Sequence, residues 1–304
     1  MGSDLKRLIE PIAQTVHISK LSNRIITIDG NNMIYQFLAA IRTSDGEYLR
    51  DQKGEITSHL SGAFYRLSNF LINRIKLIVV FDGKPPYFKR AEIEKRILAR
   101  SKTQYRDMVF TDTMKEETIE LLNAMGIITI IAPSEGEAQA SYLTRVGTAY
   151  AINSQDYDSF LFGAKRILRN YYGENRFEFV ELDSVLKHLN IDHEQLILLG
   201  MLIGTDFNTG IDGIGPIRGL EMVRKMSKSE ILDMISKDNG VDAMEIFEFF
   251  LNPPVKDVKL DFPSFDPDRL REILVTRHGF SAQRVENVIN SIQKVRKERT
   301  VFDL

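Results

Sequence analysis

The chain has 304 residues, a formal net charge of −2, and 43% hydrophobic and 27% charged residues, values that are ordinary for a globular protein. It has no cysteine, which excludes disulfides and thiolate metal sites, and its five histidines show no ligand spacing, so any bound metal should be hard and oxygen-ligated. Because there is no signal peptide and no apolar run of bilayer length, we expect an intracellular protein that is not held in a membrane.

The N-terminal 83 residues predict helix and strand in alternation. Apolar residues recur with a helical period over 5–16, although Pro11 interrupts it. The apolar runs 24–28 and 76–81 predict strands, and each leads into an acid and a glycine, Asp29-Gly30 and Asp82-Gly83. Helical patterns occupy 33–42 and 57–75. A strand that ends in an acid and leads into a helix is typical of a βαβ unit.

A basic segment follows Pro85-Pro86. Its lysines and arginines are Lys89, Arg90, Lys95, Arg96, Arg100, Lys102 and Arg106. Taken alone, such a run is usually the solvated face of a helix. The next predicted helix, 112–125, ends at Gly126, a favoured residue just beyond a helix.

Two pairs of acids follow the next two strands. The apolar runs 127–131 and 149–152 lead into Glu135 and Glu137 and into Asp156 and Asp158. Because the carboxyl ends of parallel strands meet at one edge of a sheet, these four carboxylates should lie together. Like charges so close repel one another unless cations neutralise them. The pattern therefore predicts a site for divalent metal.

The first acid pair also has a simpler interpretation. Ser134-x-x-Glu137 fits a helix capping box, and Glu135 could complement the helix dipole. Capping boxes are far commoner than metal sites, but a cap explains nothing about Asp156 and Asp158. The second pair therefore favours the metal site.

Helices dominate the chain beyond Asp183. Short strands at 166–168 and 177–180 precede helical patterns at 192–203, 216–225, 227–236, 243–251 and 281–297, with linkers at 253–254 and 262–267. This order predicts an α/β fold with a central, mostly parallel, twisted sheet flanked by helices. We expect an α/β core over residues 1–190 and a helical part over 191–304, packed on the core as one unit.

A glycine-rich turn separates the helices at 192–203 and 216–225. It contains Gly210, Gly213 and Gly215, with Asp206 just upstream. Backbone amides in such a turn can line up to bind a phosphate, assisted by the N-terminus of the next helix. A plain helix–helix turn is the alternative, but three glycines together favour binding of a DNA backbone.

Six motifs occur in order along the chain. They are Ile28-Asp29-Gly30, Thr57-Ser58-His59-Leu60-Ser61-Gly62, Val80-Phe81-Asp82-Gly83-Lys84-Pro85-Pro86, Ala132-Pro133-Ser134-Glu135-Gly136-Glu137-Ala138, Ser154-Gln155-Asp156-Tyr157-Asp158, and Gly204-Thr205-Asp206 with Gly213-Ile214-Gly215-Pro216. Over residues 1 to about 297 the chain resembles the flap endonucleases of the structure-specific 5′-nuclease superfamily, of archaeal and eukaryotic type. The resemblance implies a 5′ flap endonuclease with 5′→3′ exonuclease activity, working in replication (Okazaki fragment processing) and repair.

The resemblance also implies that two Mg²⁺ ions, which Mn²⁺ can replace, catalyse hydrolysis of a DNA phosphodiester. The first ion would be served by Asp29, Asp82, Glu135 and Glu137, and the second by Asp156, Asp158 and Asp206, with Glu137 shared. Two ions roughly 3.5–4 Å apart can hold the attacking and departing oxygens, so no histidine base is needed.

Further residues would contact DNA if the resemblance holds. Lys89 and Arg96 would meet the scissile phosphate, and Tyr35 would stack on the terminal unpaired base, with core packing as its alternative role. Arg100 would line a short helical arch at about 84–111 through which the 5′ strand passes. A helix-two-turn-helix at about 192–225, holding Gly210, Gly213 and Gly215 and a potassium ion, would bind downstream duplex. The upstream duplex would be gripped by Thr57, Arg66, Ser281 and Arg284.

The implied partner is branched DNA, as a 5′ flap, nick or gap, read through its shape and backbone. A monomer is expected, in the cytoplasm of an archaeon or the nucleus of a eukaryote. The chain departs from the family in three places. The segment between Arg96 and Glu135 is short, so the arch is reduced; Ile217 stands where a lysine is common; and residues 298–304 match the sliding-clamp box only loosely.

Three other functions are alternatives for the same residues. The short arch leaves open a related nuclease that prefers bubbles or junctions. A non-catalytic DNA-junction binder would be expected to have lost at least one of the seven acids, and all seven are present. A magnesium phosphatase with an aspartate nucleophile needs Asp-x-Asp after its first strand, whereas this strand leads into Asp29-Gly30-Asn31.

Overall fold

The computed structural model describes residues 5–89, 110–155, 157–172 and 175–302. Its centre is a seven-stranded sheet in the order β1-β7-β6-β5-β2-β3-β4. The strands are β1 (Gln14–His17), β2 (Ile25–Asp29), β3 (Lys76–Phe81), β4 (Ile128–Ile131), β5 (Ala151–Asn153), β6 (Arg166–Tyr172) and β7 (Arg176–Glu181). Strands β6, β5, β2, β3 and β4 are parallel, and β7 and β1 form an antiparallel edge. The predicted α/β fold with a mostly parallel sheet is confirmed.

Twelve α-helices occur in the described part of the chain. They are α1 (Lys6–Ile9), α2 (Gly30–Ala40), α3 (Ser58–Ile72), α4 (Asp112–Ala124), α5 (Gly136–Arg145), α6 (Leu182–Leu189), α7 (His193–Ile203), α8 (Pro216–Lys225), α9 (Lys228–Asn239), α10 (Ala243–Leu251), α11 (Pro267–Arg271) and α12 (Ala282–Phe302). None of these described helices combines the length and the apolar character needed to cross a membrane.

The sheet divides the core into two hydrophobic clusters. Ile78 and Val80 of β3 belong to the cluster that contains residues of α5 and α7, whereas Leu77 and Val79 belong to the cluster that contains residues of α2, α3 and α4. Successive strand residues point to opposite faces, so β3 is buried on both sides, which explains its continuous apolar sequence. The first cluster also contains Phe247 of α10. The C-terminal helices therefore share a core with the sheet.

The helix predicted over residues 5–16 is wrong in its second half. Helix α1 ends at Ile9, a 3₁₀ turn covers Glu10–Ile12, and β1 follows. Pro11 has no N–H group with which to continue the helix. Strand β1 then pairs with β7, with Val16 opposite Phe177. Pairing with a distant strand thus overrides the local helical period.

Candidate active site

Acids from three strand ends lie at one edge of the sheet. Asp29 is the last residue of β2, Asp82 follows β3, and Glu135 lies in the loop after β4. The Asn32 amide donates to Asp29 Oδ1 at 2.9 Å, and the Gly136 amide donates to Asp82 Oδ1 at 2.6 Å. These two carboxylates therefore sit at the N-termini of α2 and α5, where the helix dipole favours negative charge.

Burial and mutual repulsion disfavour the charged forms of these acids. Burial, and after it the charge of Asp82, raise the pKa of Asp29 to about 8, although the Asn32 amide lowers it. Burial also raises the pKa of Glu135; the Lys89 cation opposes that shift and Asp82 adds to it. Carboxylates gathered in this way need additional positive charge before all of them can ionise.

Lys89 supplies one positive charge. Its ammonium group contacts a Glu135 carboxylate oxygen, and the two side chains are only 13% and 9% exposed. Burial lowers the pKa of Lys89, but the charge of Glu135, followed by Asp206 and Asp82, raises it, and the net shift is upward. Lys89 is therefore a buried cation among acids. Asp206, which follows α7, belongs to the same electrostatic neighbourhood.

The second acid pair comes after β5. Asp158 is buried and begins the 3₁₀ turn Asp158–Phe160, whereas Asp156 lies outside the described residues. In this turn the Ser159 hydroxyl donates to Glu137 Oε1. That contact joins α5 to the loop after β5, so it brings together the segments that carry the two predicted pairs.

Arg169 of β6 holds the loop that carries the second pair. Its Nε donates to the Gln155 carbonyl at 2.9 Å, and its guanidinium lies 4.2 Å from the centroid of the Tyr157 ring. Its Nη1 lies 3.3 Å from Glu178 Oε1, which also accepts a hydrogen bond from Tyr157. The two neighbours of position 156 are thus fixed by β6 and β7.

The capping box considered for Ser134 is wrong. Helix α5 begins at Gly136, so Glu135 is the N-cap residue, and it makes no side-chain capping bond. The Ser134 hydroxyl is buried and has no hydrogen-bond partner in the part of the chain that the structure describes. Glu137 accepts from Ser159 instead. Helix capping therefore does not account for the first acid pair.

The donor set suits a hard metal ion, although the side chains do not form a closed cage. All the predicted ligands are carboxylates, which Mg²⁺ accepts. Within the described ranges, no three acids or histidines converge closely enough to enclose an ion, and the Lys89 ammonium lies against Glu135. Because Mg²⁺ keeps several waters when it binds protein, a loose ring of acids fits it.

A cavity of about 880 Å³ lies between α2 and α3. Asp29, Gln36 and Gln155 line it together with Arg66, the predicted upstream-duplex contact. Arg66 is exposed, and its guanidinium lies 5.4 Å from the centroid of the Phe37 ring. The cavity therefore connects the acid edge to a cation that a polyanionic strand could contact.

The other predicted DNA contacts differ in exposure. Ser281 and Arg284 are exposed at the start of α12, whereas Thr57 is only 3% exposed, so its side chain offers little surface to a duplex. Tyr35 is half-buried, with its ring edge-on to Phe110 at 5.5 Å, so it is not part of the fully buried core. The predicted contacts Arg96 and Arg100 lie outside the described residues.

The turn between α7 and α8 is shaped by its glycines. Gly210 and Gly213 both have positive φ angles, +76° and +77°. Asn239 of α9 accepts hydrogen bonds from the amide and hydroxyl of Thr209 and donates to the Gly210 carbonyl. Gly210 is buried, whereas Gly213 and Gly215 are exposed immediately before α8. The first glycine therefore builds the turn, and the other two can present their amides to an anion.

Gly210→Ala should destabilise the protein by about 2–4 kcal/mol, and Gly213→Ala by about 1–2 kcal/mol. Both alanines would have a left-handed backbone, but a Cβ at Gly210 would meet the Ile203 carbonyl oxygen at 2.4 Å, and a Cβ at Gly213 would meet nothing within 4 Å. Urea unfolding of both variants measures the difference. Equal losses would show that backbone crowding at Gly210 is relieved by movement of the turn.

Several residues that hold the site carry no signal in the sequence. Lys115 of α4 donates to the Asp82 carbonyl at 3.0 Å, and Ser159, Arg169 and Asn239 make the contacts described above. A lysine on an amphipathic helix or an arginine in a strand looks like an ordinary surface residue when read locally. Only the packing of distant elements gives these side chains their role.

Known proteins match the chain over most of its length. Residues 1–103 match the family model of the XPG N-terminal domain, and residues 126–206 match that of the XPG I-region. Flap endonuclease 1 of Hyperthermus butylicus is 42% identical over 335 aligned positions, which cover 98% of this chain and 96% of the relative. The chain belongs to the flap endonuclease family.

Solved structures of flap endonucleases and related nucleases share the fold. Flap endonuclease-1 from Methanococcus jannaschii has a TM-score of 0.83 and 34% identity, covering 98% of this chain and all of that one. The catalytic core of Rad2 in complex with DNA substrate has a TM-score of 0.79 and 27% identity, covering 96% of this chain and all of that one. The chain is accordingly a structure-specific 5′ flap endonuclease, a hydrolase of phosphodiester bonds in DNA, consistent with roles in replication and repair.

Proposed function

We propose that this flap endonuclease depends on two Mg²⁺ ions, replaceable by Mn²⁺, at the edge of the sheet where Asp29, Asp82 and Glu135 meet. The supporting observation is the grouping of these acids, whose charges act on one another at Asp29 and at Glu135, around the buried cation Lys89. The pocket thus collects more negative charge than the protein neutralises. Lys89 is a monovalent cation in the same pocket, so divalent ions would complete the neutralisation.

The seven acids divide into two ligand sets in this proposal. Asp29, Asp82, Glu135 and Glu137 would hold the first ion and Asp156, Asp158 and Asp206 the second, with Glu137 shared. Once bound, such ions lower the pKa of a coordinated water and stabilise the attacking and leaving oxygens. The chain itself supplies the orientation, because Ser159 holds Glu137 and Arg169 holds the loop of the second pair.

Cations and one aromatic ring would act on the substrate. Lys89 and Arg96 would bind the scissile phosphate and offset its developing negative charge. Tyr35, half-buried beside Phe110, would stack on the terminal unpaired base and offset part of the cost of unpairing it.

Backbone contacts would place the junction of a 5′ flap, nick or gap over the acids. Gly213 and Gly215, with Gly210 shaping their turn, would bind downstream duplex. Arg66, Ser281 and Arg284 would meet upstream duplex together with Thr57, whose side chain is largely buried. Arg100 would meet the 5′ strand. The core at 1–190, the arch at about 84–111 and the helix-two-turn-helix at 192–225 would thus each hold one part of the branched DNA. A potassium ion at this turn, a clamp contact at 298–304 and a monomeric state stay predictions.

Cleavage of labelled DNA tests the proposal. A 5′-flap duplex should be cut near the junction with Mg²⁺ or Mn²⁺ and left intact in EDTA, and a nicked duplex should be degraded 5′→3′. Asp206→Asn should lower the rate at least about 10³-fold, the equivalent of several kcal/mol of metal-derived stabilisation. Asp212→Asn, at an exposed acid of the same turn, should cut normally. Cleavage in EDTA, or equal rates for the two variants, would contradict the metal assignment.

A preference for bubbles or junctions is the second candidate. Because the alignment with the Hyperthermus butylicus protein spans 335 positions and this chain has 304 residues, at least 31 residues of that relative have no counterpart here. A shorter arch would restrict a free 5′ end less. Parallel assays on flap and bubble substrates decide the matter, and a faster rate on bubbles would replace the flap preference.

A further inference from the structure

Aromatic side chains fasten the segment that carries Lys89. Tyr87, Phe88 and Lys89 form a 3₁₀ turn six residues after the end of β3. The Phe88 ring lies edge-on to Phe207 at 5.7 Å and to Phe249 of α10 at 5.3 Å. Phe207 and Phe249 also pack edge-on, at 5.2 Å. These three residues, here called the aromatic anchor, therefore contact one another in every pairing, in the geometry that aromatic quadrupoles favour.

The aromatic anchor lies directly beside Lys89 and Asp206, two charged groups of the acid site. Phe88 directly precedes Lys89, and Phe207 directly follows Asp206. The Lys89 ammonium also lies 5.2 Å from the centroid of the Phe207 ring. Since Asp206 raises the pKa of Lys89, the two charged groups are neighbours as well. One packing cluster thus borders both.

Attraction to the acids alone does not fix the position of Lys89. A lysine side chain is a point charge on a flexible four-carbon stem, and it has no fork that would set its direction. Its backbone amide donates to the Pro86 carbonyl at 3.1 Å, which holds the turn but not its place over the acids. Tyr87, 64% exposed, donates to Glu245 of α10. Two consecutive side chains of the turn, Tyr87 and Phe88, therefore contact α10.

We propose that the aromatic anchor is a positioning device that sets the Lys89 ammonium and the Asp206 carboxylate at working distance from one another. Through Phe249, helix α10 then influences the rate of the chemical step although it contributes no charged group to it. This inference rests on the proposed function, in which Lys89 binds the scissile phosphate and Asp206 binds metal.

Single-turnover cleavage of a 5′-flap substrate by six variants tests the aromatic anchor. Phe88→Ala and Phe249→Leu should cut roughly 10- to 100-fold more slowly, the effect of misplacing a catalytic group by about 1 Å, while the DNA dissociation constant changes less than about twofold. Phe88→Leu should recover part of the rate. Phe247→Leu, which is also on α10 and fully buried, should lower the melting temperature and keep the rate.

The last two variants, Lys89→Met and Lys89→Met combined with Phe88→Ala, separate positioning from stability. If Phe88 acts through Lys89, then Phe88→Ala added to Lys89→Met should slow cleavage no more than about twofold further, because coupled residues are not additive. If the rate losses of the two single variants multiply in the double variant, the proposed role of the aromatic anchor is overturned. A normal rate for Phe88→Ala beside a slow Lys89→Met would overturn it as well. A normal rate for Lys89→Met alone would instead overturn the role of Lys89 in the proposed function.

Discussion

Asp29→Asn should abolish detectable DNA cleavage and at the same time stabilise the metal-free protein. The amide keeps an oxygen that can accept the Asn32 hydrogen bond, so the N-terminus of α2 stays capped. It removes the negative charge that a metal ion would need, and several kcal/mol of stabilisation correspond to at least about a 10³-fold loss of rate. It also removes one of the carboxylates that repel one another.

The gain in stability depends on pH in a defined direction. The pKa of Asp29 is raised from 3.8 to about 8 in the folded state, so the folded protein holds this proton more tightly than the unfolded chain. Its contribution to stability is complete below pH 3.8 and is lost as the pH rises through 8. Asparagine does not titrate. The free energy of unfolding of the variant should therefore match that of the wild type near pH 4 and exceed it by about 1–3 kcal/mol near pH 9. Solvent screening makes this difference smaller than the full pKa shift implies.

Urea unfolding in EDTA between pH 4 and 9 measures this gain, and flap cleavage in Mg²⁺ measures the loss. Asp45→Asn, at an exposed loop acid, serves as the control and should leave both quantities unchanged. Retained cleavage by Asp29→Asn would remove Asp29 from the ligand set. A stability difference that does not grow with pH would show that burial and the charge of Asp82 do not raise the pKa of Asp29 in the folded protein.

The sheet could be predicted because its buried strands appear in the sequence as continuous apolar runs. Strand β3 is apolar on both faces and has the predicted bounds, as do α8 and α10. The start of helix α7 was also predicted. Asp192 is its N-cap residue and forms a capping box with Gln195. Local patterns suffice where burial, capping and propensity agree.

The prediction fails where distant partners decide the structure. Strand β1 exists only because β7 is available to pair with it, and no period of two marks residues 14–17. The same holds at the site. The position of acids just after strands predicted that Asp29, Asp82 and Glu135 would lie together. By contrast, nothing near Arg169 in the sequence indicates that it donates to the Gln155 carbonyl. Charge at strand ends is a local signal, whereas support for the charged residues is a property of the packed chain.

Lys89→Met should lower the single-turnover rate roughly 10²- to 10³-fold, the usual effect of removing one group that stabilises transition-state charge. Mg²⁺ binding should not weaken, because the Lys89 ammonium contacts Glu135 and therefore competes with metal for that carboxylate. This separates Lys89 from Asp29, whose replacement should weaken metal binding and cleavage together. Lys89→Arg should cut little faster than Lys89→Met, since a planar guanidinium is larger than an ammonium group and directs its donors differently.

Rates at saturating Mg²⁺ and Mg²⁺ affinities from calorimetry, measured on the same preparations, distinguish the two kinds of loss. Lys84→Met is the matched control, because Lys84 lies in the same segment but is exposed. If Lys89→Met binds Mg²⁺ more weakly and recovers its rate at high Mg²⁺, Lys89 supports the acids and does not bind the phosphate. If the Mg²⁺ affinity holds and the rate stays low, the cation acts on the substrate, as its burial among carboxylates indicates.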